Sequence, residues 1–313
     1  MGIIFLGTSE FAVEPLRQLV ANGMAVDCVV TQPDRKRDRG KKIKGTPVKE
    51  VALELGLTVY QPENVNTAES VDFLKKFNAD FLVVIAYGQL LSEQLLAIPS
   101  IVPLNVHGSL LPKYRGAAPI ERAVMAGERV TGVTLIKVVK ALDAGEMYLK
   151  REMEISDTMT SGDVESKLKV LGAQILIEGI QALQNGELTG IAQNSEDATY
   201  AHKITKEDRY IAFNSQGKDI INLVRGLQPR TFALAFYKGE PLGICKAVYE
   251  PIDLIGEMGE IIKIDKKKGI LVQCKVGGIF ITKLKPSGKK VMYFKAYLNG
   301  NPLNIGEKLE SSK

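Results

Sequence analysis

The stretch GIIFLGTSEFAVEPLRQLVA, residues 2–21, decides how the first half of the chain is read. Ile3–Leu6 is an unbroken apolar run that ends at Gly7. Such a run suits a strand buried on both faces of a parallel sheet. From Phe11 to Ala21 the apolar residues Val13, Leu16, Leu19 and Val20 recur at helical spacing. Pro15 is tolerated there because the first turn of a helix does not need its N–H. Strand, turn and helix therefore follow one another within twenty residues.

The same alternation continues outward. Val26–Thr31, Thr58–Tyr60, Phe81–Ala86, Val102–His107 and Val133–Val138 read as strands. Pro47–Leu55, Ala68–Phe77, Gly116–Ala126 and Ser161–Gln184 read as helices. This order predicts an α/β domain with a doubly wound, mostly parallel, Rossmann-like sheet and helices on both faces. Ligands of such sheets sit beyond the carboxyl ends of the strands, which makes the loops there the candidate site. Residues 190–207 are polar and aperiodic and read as a linker. After a helix at Lys218–Gly226, the segments Phe232–Tyr237, Gly243–Val248, Gly259–Ile264, Ile270–Cys274 and Gly278–Lys283 are short runs separated by turn residues. They predict a small antiparallel β-barrel, OB-like in size and strand number. The expected domains are 1–189 and 208–313, and 313 residues suit two domains.

Composition excludes several classes. With 45% hydrophobic and 25% charged residues, the chain is neither disordered nor fibrous. Phe81–Ala86 is its longest apolar stretch, against about 20 residues needed to cross a bilayer. The first residues lack a basic n-region and read as a strand and not as a signal peptide. Cys28, Cys245 and Cys274 are odd in number and far apart, as expected of a reducing cytoplasm. From Asp208 onward there are 18 Lys and Arg against 10 Asp and Glu, while the preceding part is slightly acidic. That asymmetry points to a polyanionic partner for the second domain, or to solubility alone.

Nucleotide motifs fail. Gly7-Thr8-Ser9-Glu10 stands where a dinucleotide fold places its glycine-rich turn, but the later glycines are missing, and there is no GxxxxGK[ST]. Of two histidines, His202 lies in the polar stretch without an evident partner, and His107 ends a strand. Asn105 and His107 are two residues apart and so share a face at its carboxyl end. Asp143 follows the strand at Val133–Val138 and is either a turn residue or a partner for that pair. With one usable His and no clustered Cys or Asp, a metal site is not expected. Together Asn105, His107 and Asp143 suit acyl transfer by direct amine attack. An amide or imidazolium stabilises an oxyanion, His or Asp assists proton removal, and a carboxylate orients the His.

Asn105-x-His107, Ser109-Leu110-Leu111-Pro112-x-Tyr114-Arg115-Gly116 and Asp143-x-Gly145 resemble the signature of the folate-dependent formyltransferases. GIIFLGTSEFAVEPL, the basic stretch that follows Thr31-Gln32-Pro33-Asp34-Arg35, and Leu284-Lys285-Pro286-Ser287-Gly288-Lys289-Lys290 are similar to the branch that formylates methionyl-tRNA. Two features depart from the pattern: the chain has no Trp, and Lys36-Arg37-Asp38 replaces smaller residues in the basic stretch. The resemblance implies transfer of a formyl group from 10-formyltetrahydrofolate to the α-amine of initiator methionyl-tRNA by a monomeric cytoplasmic enzyme of translation initiation and one-carbon metabolism. It implies no metal, no DNA and no membrane. Asn105, His107 and Asp143 would be catalytic. Ala86, Tyr87, Gly88, Gln89, Leu90 and Leu91 would meet the pterin through main-chain groups, and Ser109, Leu110, Leu111 and Pro112 would line the folate site.

Asp34–Lys44 holds seven Lys and Arg and two Asp. A charge run is usually a solvated face, but this one follows a strand on the ligand side. Arg35, Arg37, Arg39, Lys41 and Lys42 there, and Lys267, Lys289 and Lys290 in the barrel, are the candidate tRNA contacts. A formyltransferase acting on a small amine and a non-catalytic RNA-binding protein are the rival readings. Salt dependence of acceptor binding separates the first rival, because a small neutral amine would be nearly indifferent to salt.

Overall fold

The computed structural model describes residues 1–37 and 42–311. The chain forms two compact units. The first comprises Met1–Pro119, Val130–Met153 and Glu165–Ala201, and the second Ile120–Arg129, Glu154–Val164 and His202–Lys313.

Fifteen strands and α-helices are described up to Gln184. They begin with β1 (Gly2–Gly7), α1 (Val13–Ala21), β2 (Ala25–Val30), β3 (Arg35–Arg37), β4 (Lys42–Lys44) and α2 (Pro47–Glu54). Next come β5 (Val59–Tyr60), α3 (Ala68–Lys75), β6 (Phe81–Ile85), α4 (Glu93–Leu96) and β7 (Val102–His107). Then follow α5 (Pro119–Met125), β8 (Val130–Lys137), β9 (Met147–Glu154) and α6 (Ser161–Gln184). The main sheet has the order β5-β2-β1-β6-β7-β8-β9. Pairings from β5 to β7 are parallel, and β8 runs antiparallel to β7. The expected parallel sheet is thus present with an antiparallel edge.

The apolar run Ile3–Leu6 is fully buried in the middle of this sheet, between β2 and β6. Ile4, Leu6, Cys28, Val30 and Leu82 pack on one face with Val71 and Leu74 of α3. Helix starts follow local chemistry: the Thr46 hydroxyl accepts from the Lys49 N–H ahead of Pro47, and Thr67 does the same for Ser70. Thr46 also shares a buried 2.6 Å hydrogen bond with Thr31, which fixes the entry to α2 against the end of β2. Register then aligns the strand ends. Gly7 pairs with Ile85, Val84 with Asn105, and His107 with Thr134.

Sequence periodicity missed β9. Its MYLKREME pattern is half-exposed to exposed and alternates poorly. The basic stretch expected as a loop contains the short antiparallel pair β3–β4. Within the polar segment 190–207, Ile191 bridges Met147, and Ala201 exchanges hydrogen bonds with Arg115 and Ala118. Those residues belong to the first unit.

The second unit holds α7 (Gly217–Gly226), β10 (Ala233–Tyr237), β11 (Glu240–Glu250), β12 (Ile261–Asp265), β13 (Gly269–Gln273), β14 (Gly278–Pro286), β15 (Met292–Tyr293) and α8 (Phe294–Leu298). The antiparallel order is β10-β11-β14-β13-β12, with β15 on β14. Residues Glu307–Glu310 run between the two outer strands. Glu310 and Phe236 exchange main-chain hydrogen bonds, Leu309 N–H donates to the Gly259 carbonyl, and Ile261 N–H donates to the Glu307 carbonyl. This segment covers strand edges that would otherwise present unpaired groups. The core is Ile244, Ile261, Ile270, Val272, Ile279, Ile281 and Leu284, capped by Ile220 and Val224 of α7.

In the same unit, Arg122 of α5 makes a forked pair with Asp208, at 2.8 and 2.6 Å. The Arg122 guanidinium and the Thr205 N–H hold the Asp208 carboxyl down at about 2. Because the folded carboxyl titrates below the ordinary value of about 3.9, its contribution is complete above that value. It is lost as pH falls toward about 2. Asp208→Asn is therefore expected to lower stability by about 1 kcal/mol at neutral pH after allowing for solvent screening. Urea melts of both proteins from pH 7 to pH 2 check this: the difference should narrow below about pH 4 and nearly close by about pH 2.

Candidate active site

Asn105 and His107 stand at the carboxyl end of β7, on one face as their spacing requires. Asp143 reaches them from the turn after β8. Its backbone is left-handed, with φ +50°. Gly145, two residues on, has no alternative side chain, because a Cβ there would overlap the Lys137 carbonyl.

The three side chains meet. Asp143 Oδ1 accepts from Asn105 Nδ2 at 3.3 Å, and Oδ2 lies 3.5 Å from His107 Nδ1. Oδ2 also accepts from the Gly116 N–H at 2.9 Å. The His107 and Asp143 side chains are 6% and 10% exposed, so the pair is nearly dry. His107 Nε2 lies 2.9 Å from the Tyr114 carbonyl. A carbonyl and a carboxylate only accept, so whichever ring nitrogen carries hydrogen faces an acceptor.

A second layer of residues fixes this arrangement. The buried Arg115 donates from Nε and Nη2 to Gln193 Oε1, at 3.0 and 2.7 Å. Gln193 Nε2 donates in turn to the carbonyls of Asp143 and Gly145, both at 2.8 Å. Thr199 accepts from the Tyr114 N–H with its hydroxyl and from the Arg115 N–H with its carbonyl. Thus Gln193 and Thr199 of the polar stretch tie both the Asp143 turn and the Tyr114 carbonyl in place. Sequence reading did not pick out Gln193 or Thr199. Replacing Gln193 by Ala leaves Arg115 without its acceptor and two carbonyls without a donor. The expected effect is a loss of roughly 1–3 kcal/mol in urea unfolding.

The loop Ala86–Leu91 follows β6, and Ala86 itself has φ +46°. Polar side chains hold it rigidly. The Thr8 hydroxyl donates to the Tyr87 carbonyl at 2.7 Å, Asn66 Nδ2 donates to the Leu90 carbonyl, and the Gln89 side chain engages Val65 N–H and the Glu63 carbonyl. Among the described residues, the main-chain N–H groups of Gly88, Gln89, Leu90 and Leu91 have no acceptor. Leu90 is 74% exposed, and Tyr87 is buried, with burial pushing its phenol above the usual range.

The segment Ser109–Pro112 is a shaped turn with a cis bond before Pro112. Ser109 and Leu111 are buried, and only Leu110 and Pro112 present partial surface. The Ser109 hydroxyl donates to the Lys113 carbonyl, and Thr134 joins the Ser109 carbonyl to the Leu111 N–H. The polar groups of this turn therefore serve its shape.

Of the basic residues, Arg35 is exposed and lies 3.8 Å from Glu63. Arg39 and Lys41 lie outside the described residues, as do the side chains of Arg37 and Lys42. Lys267, Lys289 and Lys290 are exposed and make no ion pair among the described residues. The neighbouring Lys268 differs, because it pairs with Glu250 at 2.8 Å. Asp265 in that turn is held at about 2 by the Lys268 and Lys267 N–H groups. Among the described residues no group of three or more His, Cys, Asp or Glu is placed to hold a metal, and no helix is long and apolar enough to cross a membrane.

Residues 1–180 match the formyl transferase family model, and residues 203–302 match that of the formyl transferase C-terminal domain. A methionyl-tRNA formyltransferase of Alkaliphilus metalliredigens is 43% identical over 98% of this chain and 97% of its own length. Another, from Ruminiclostridium cellulolyticum, is 42% identical over 99% of both. The chain belongs to the methionyl-tRNA formyltransferase family. Solved structures share the fold of this formyltransferase at low identity. HypX of Aquifex aeolicus in complex with tetrahydrofolic acid has a TM-score of 0.66 and 14% identity, over 98% of this chain and 48% of that one. WlaRD, a sugar 3N-formyl transferase, has a TM-score of 0.67 and 17% identity, over 93% and 99%.

Proposed function

We propose that this formyltransferase moves a formyl group from 10-formyltetrahydrofolate to the α-amino group of methionyl initiator tRNA. The observation that carries the reading is the meeting of Asn105, His107 and Asp143 at one strand end in a chain related over its full length to methionyl-tRNA formyltransferases.

The chemistry needs modest help. An α-amine has an ordinary pKa near 8, and esterification of the carboxyl lowers it, so the acceptor is substantially neutral at pH 7. Its nitrogen bonds to the formyl carbon, the bond from that carbon to the folate nitrogen breaks, the amine loses a proton and the folate nitrogen gains one. Folate supplies the activated formyl group when bound. Asn105 Nδ2 carries two hydrogens. One is directed to Asp143, which leaves the other for the oxygen on which negative charge develops. His107 lies beside Asp143, and Asp143 orients both groups. The unpaired N–H groups from Gly88 to Leu91 suit a pterin edge rich in acceptors, and exposed Leu90 suits its flat face. Arg35, Arg37, Arg39, Lys41, Lys42, Lys267, Lys289 and Lys290 are the groups assigned to the RNA backbone. The enzyme is expected to act as a cytoplasmic monomer.

The test is formyl transfer to charged initiator methionyl-tRNA, with charged elongator methionyl-tRNA and glycinamide ribonucleotide in parallel. Formylation of the initiator alone supports the reading. Turnover of the small amine alone would sink it.

A further inference from the structure

Two residues that face His107 have left-handed backbone although neither is glycine. Tyr114 has φ +62° and Asp143 has φ +50°. That conformation is unfavourable for a residue with a Cβ, and it persists where neighbouring bonds over-determine it. Tyr114 turns its carbonyl to Nε2 of the imidazole, and Asp143 turns its carboxylate to Nδ1. Among the described residues the ring has no other polar partner. Its direction is therefore set by how firmly these two acceptors are held.

One segment holds both. Between Gln193 and Ala201 the chain comes alongside the Tyr114 turn, with Arg115 and Tyr200 in a parallel bridge. Thr199 Oγ1 accepts from the Tyr114 N–H at 2.8 Å, and the Thr199 carbonyl accepts from the Arg115 N–H at 2.8 Å. The Ala201 N–H donates back to the Arg115 carbonyl at 2.7 Å. Gly116 follows with φ +119°, and a Cβ there would stand 2.9 Å from the Ala201 carbonyl oxygen. On the other side of the ring, Gln193 Nε2 donates to the carbonyls of Asp143 and Gly145. This amide cannot turn over. Its oxygen takes two hydrogens from Arg115, and the reverse orientation would set donor against donor and oxygen against two carbonyls. All of these residues belong to the first unit.

We infer that Gln193 and Thr199 are positioning residues for formyl transfer. Each fixes one of the two acceptors between which His107 lies, and acts through it on the ring. The residue type at position 193 fits this role. Charge pairing alone would favour a carboxylate beside the buried Arg115. A carboxylate has no hydrogen to give the Asp143 turn, whereas the amide serves the guanidinium and the turn together. The inference rests on the transfer reading given under Proposed function.

The experiment uses the full chain with substitutions that keep most of each side chain's shape. Gln193→Glu still accepts from Arg115 but, ionised, has nothing to donate to the two carbonyls. Thr199→Val removes the hydroxyl, and Thr199→Ser keeps it. In Gln193→Glu, kcat for transfer from 10-formyltetrahydrofolate to charged initiator tRNA should fall by about 10–10²-fold, with KM for both substrates within about threefold. Thr199→Val should lose about three- to tenfold in kcat, the size of one hydrogen bond, and Thr199→Ser should regain it. The second readout is the ring-nitrogen resonances of isotope-labelled histidine. The chain has two histidines, so only His107 and His202 are seen, and His202→Gln assigns them. The His107 signals should shift or split in Gln193→Glu and Thr199→Val and return in Thr199→Ser, with those of His202 unchanged. A merely structural role would lower stability and leave the His107 signals of the folded protein where they were. A kcat for Gln193→Glu within about threefold of the unmodified enzyme overturns the inference. So do His107 signals that stay unmoved in both variants. Absence of transfer by the unmodified enzyme would instead overturn the transfer reading, whatever the His107 signals show.

Discussion

Asn105→Ala is expected to lower kcat for formyl transfer by about 10²–10³-fold, the usual effect of removing one oxyanion donor. KM for both substrates should change little, because the interaction is strongest when charge has developed on the formyl oxygen. The reason lies in the hydrogen-bond inventory. Asp143 takes one hydrogen of the Asn105 amide, which fixes the direction of the other. Ala keeps the strand but removes both. The neighbouring groups hold without it, since Asp143 still accepts from Gly116 and its turn is still held by Gln193. Single-turnover transfer to charged initiator tRNA measures the chemical step directly. A loss of less than about tenfold would show that Asn105 is not an oxyanion donor. Asp143→Asn should also be severely impaired. Its amide can still accept from Gly116, but it withdraws the negative charge that faces His107.

Raising salt from about 50 to about 200 mM is expected to weaken binding of charged tRNA by about 10³-fold or more. That magnitude corresponds to six or more phosphate contacts. The chain can supply them: residues 34–44 carry seven Lys and Arg, and the second unit adds exposed Lys267, Lys289 and Lys290. These three lysines make no ion pair among the described residues, so binding RNA breaks no bridge of theirs. Arg35→Ala should reduce the slope of log K against log salt by about one. It should do so for initiator and elongator tRNA alike, because a phosphate contact positions the RNA without reading sequence. Filter binding across a salt series gives the slope. Near-indifference to salt would remove RNA as the partner of these basic residues and favour a small acceptor.

Much of the framework was legible locally. Ile3–Leu6 and Phe81–Ile85 are apolar throughout because both faces of these strands are covered, and that pattern needs no knowledge of the neighbours. The same holds for α1 and α3, whose buried residues recur at the helical period. Period two along β7 was enough to put Asn105 and His107 on one face. Elements without such a period escaped. β9 is an edge strand with its sides largely in solvent, and Glu307–Glu310 cover the barrel edges through main-chain bonds that leave no side-chain signature.

The sequence by itself determined the type of each buried element, the two-part organisation and the residues proposed for acyl transfer, because burial and chemistry act through side-chain identity and spacing. Only the tertiary structure decided what holds those residues in place. Gln193 reaches the carbonyls of Asp143 and Gly145 from 50 and 48 positions along the chain and accepts from an arginine 78 positions away. Carbonyl acceptors are present at every residue, so no pattern of side chains tells which of them a distant amide will meet. A cavity of about 650 Å³ lined in part by Thr8, Gln32, Asn64 and Gly88 has the same origin. Its walls come from four strand ends that sheet order and register bring together, and an unpaired amide becomes visible only after every other partner has been placed.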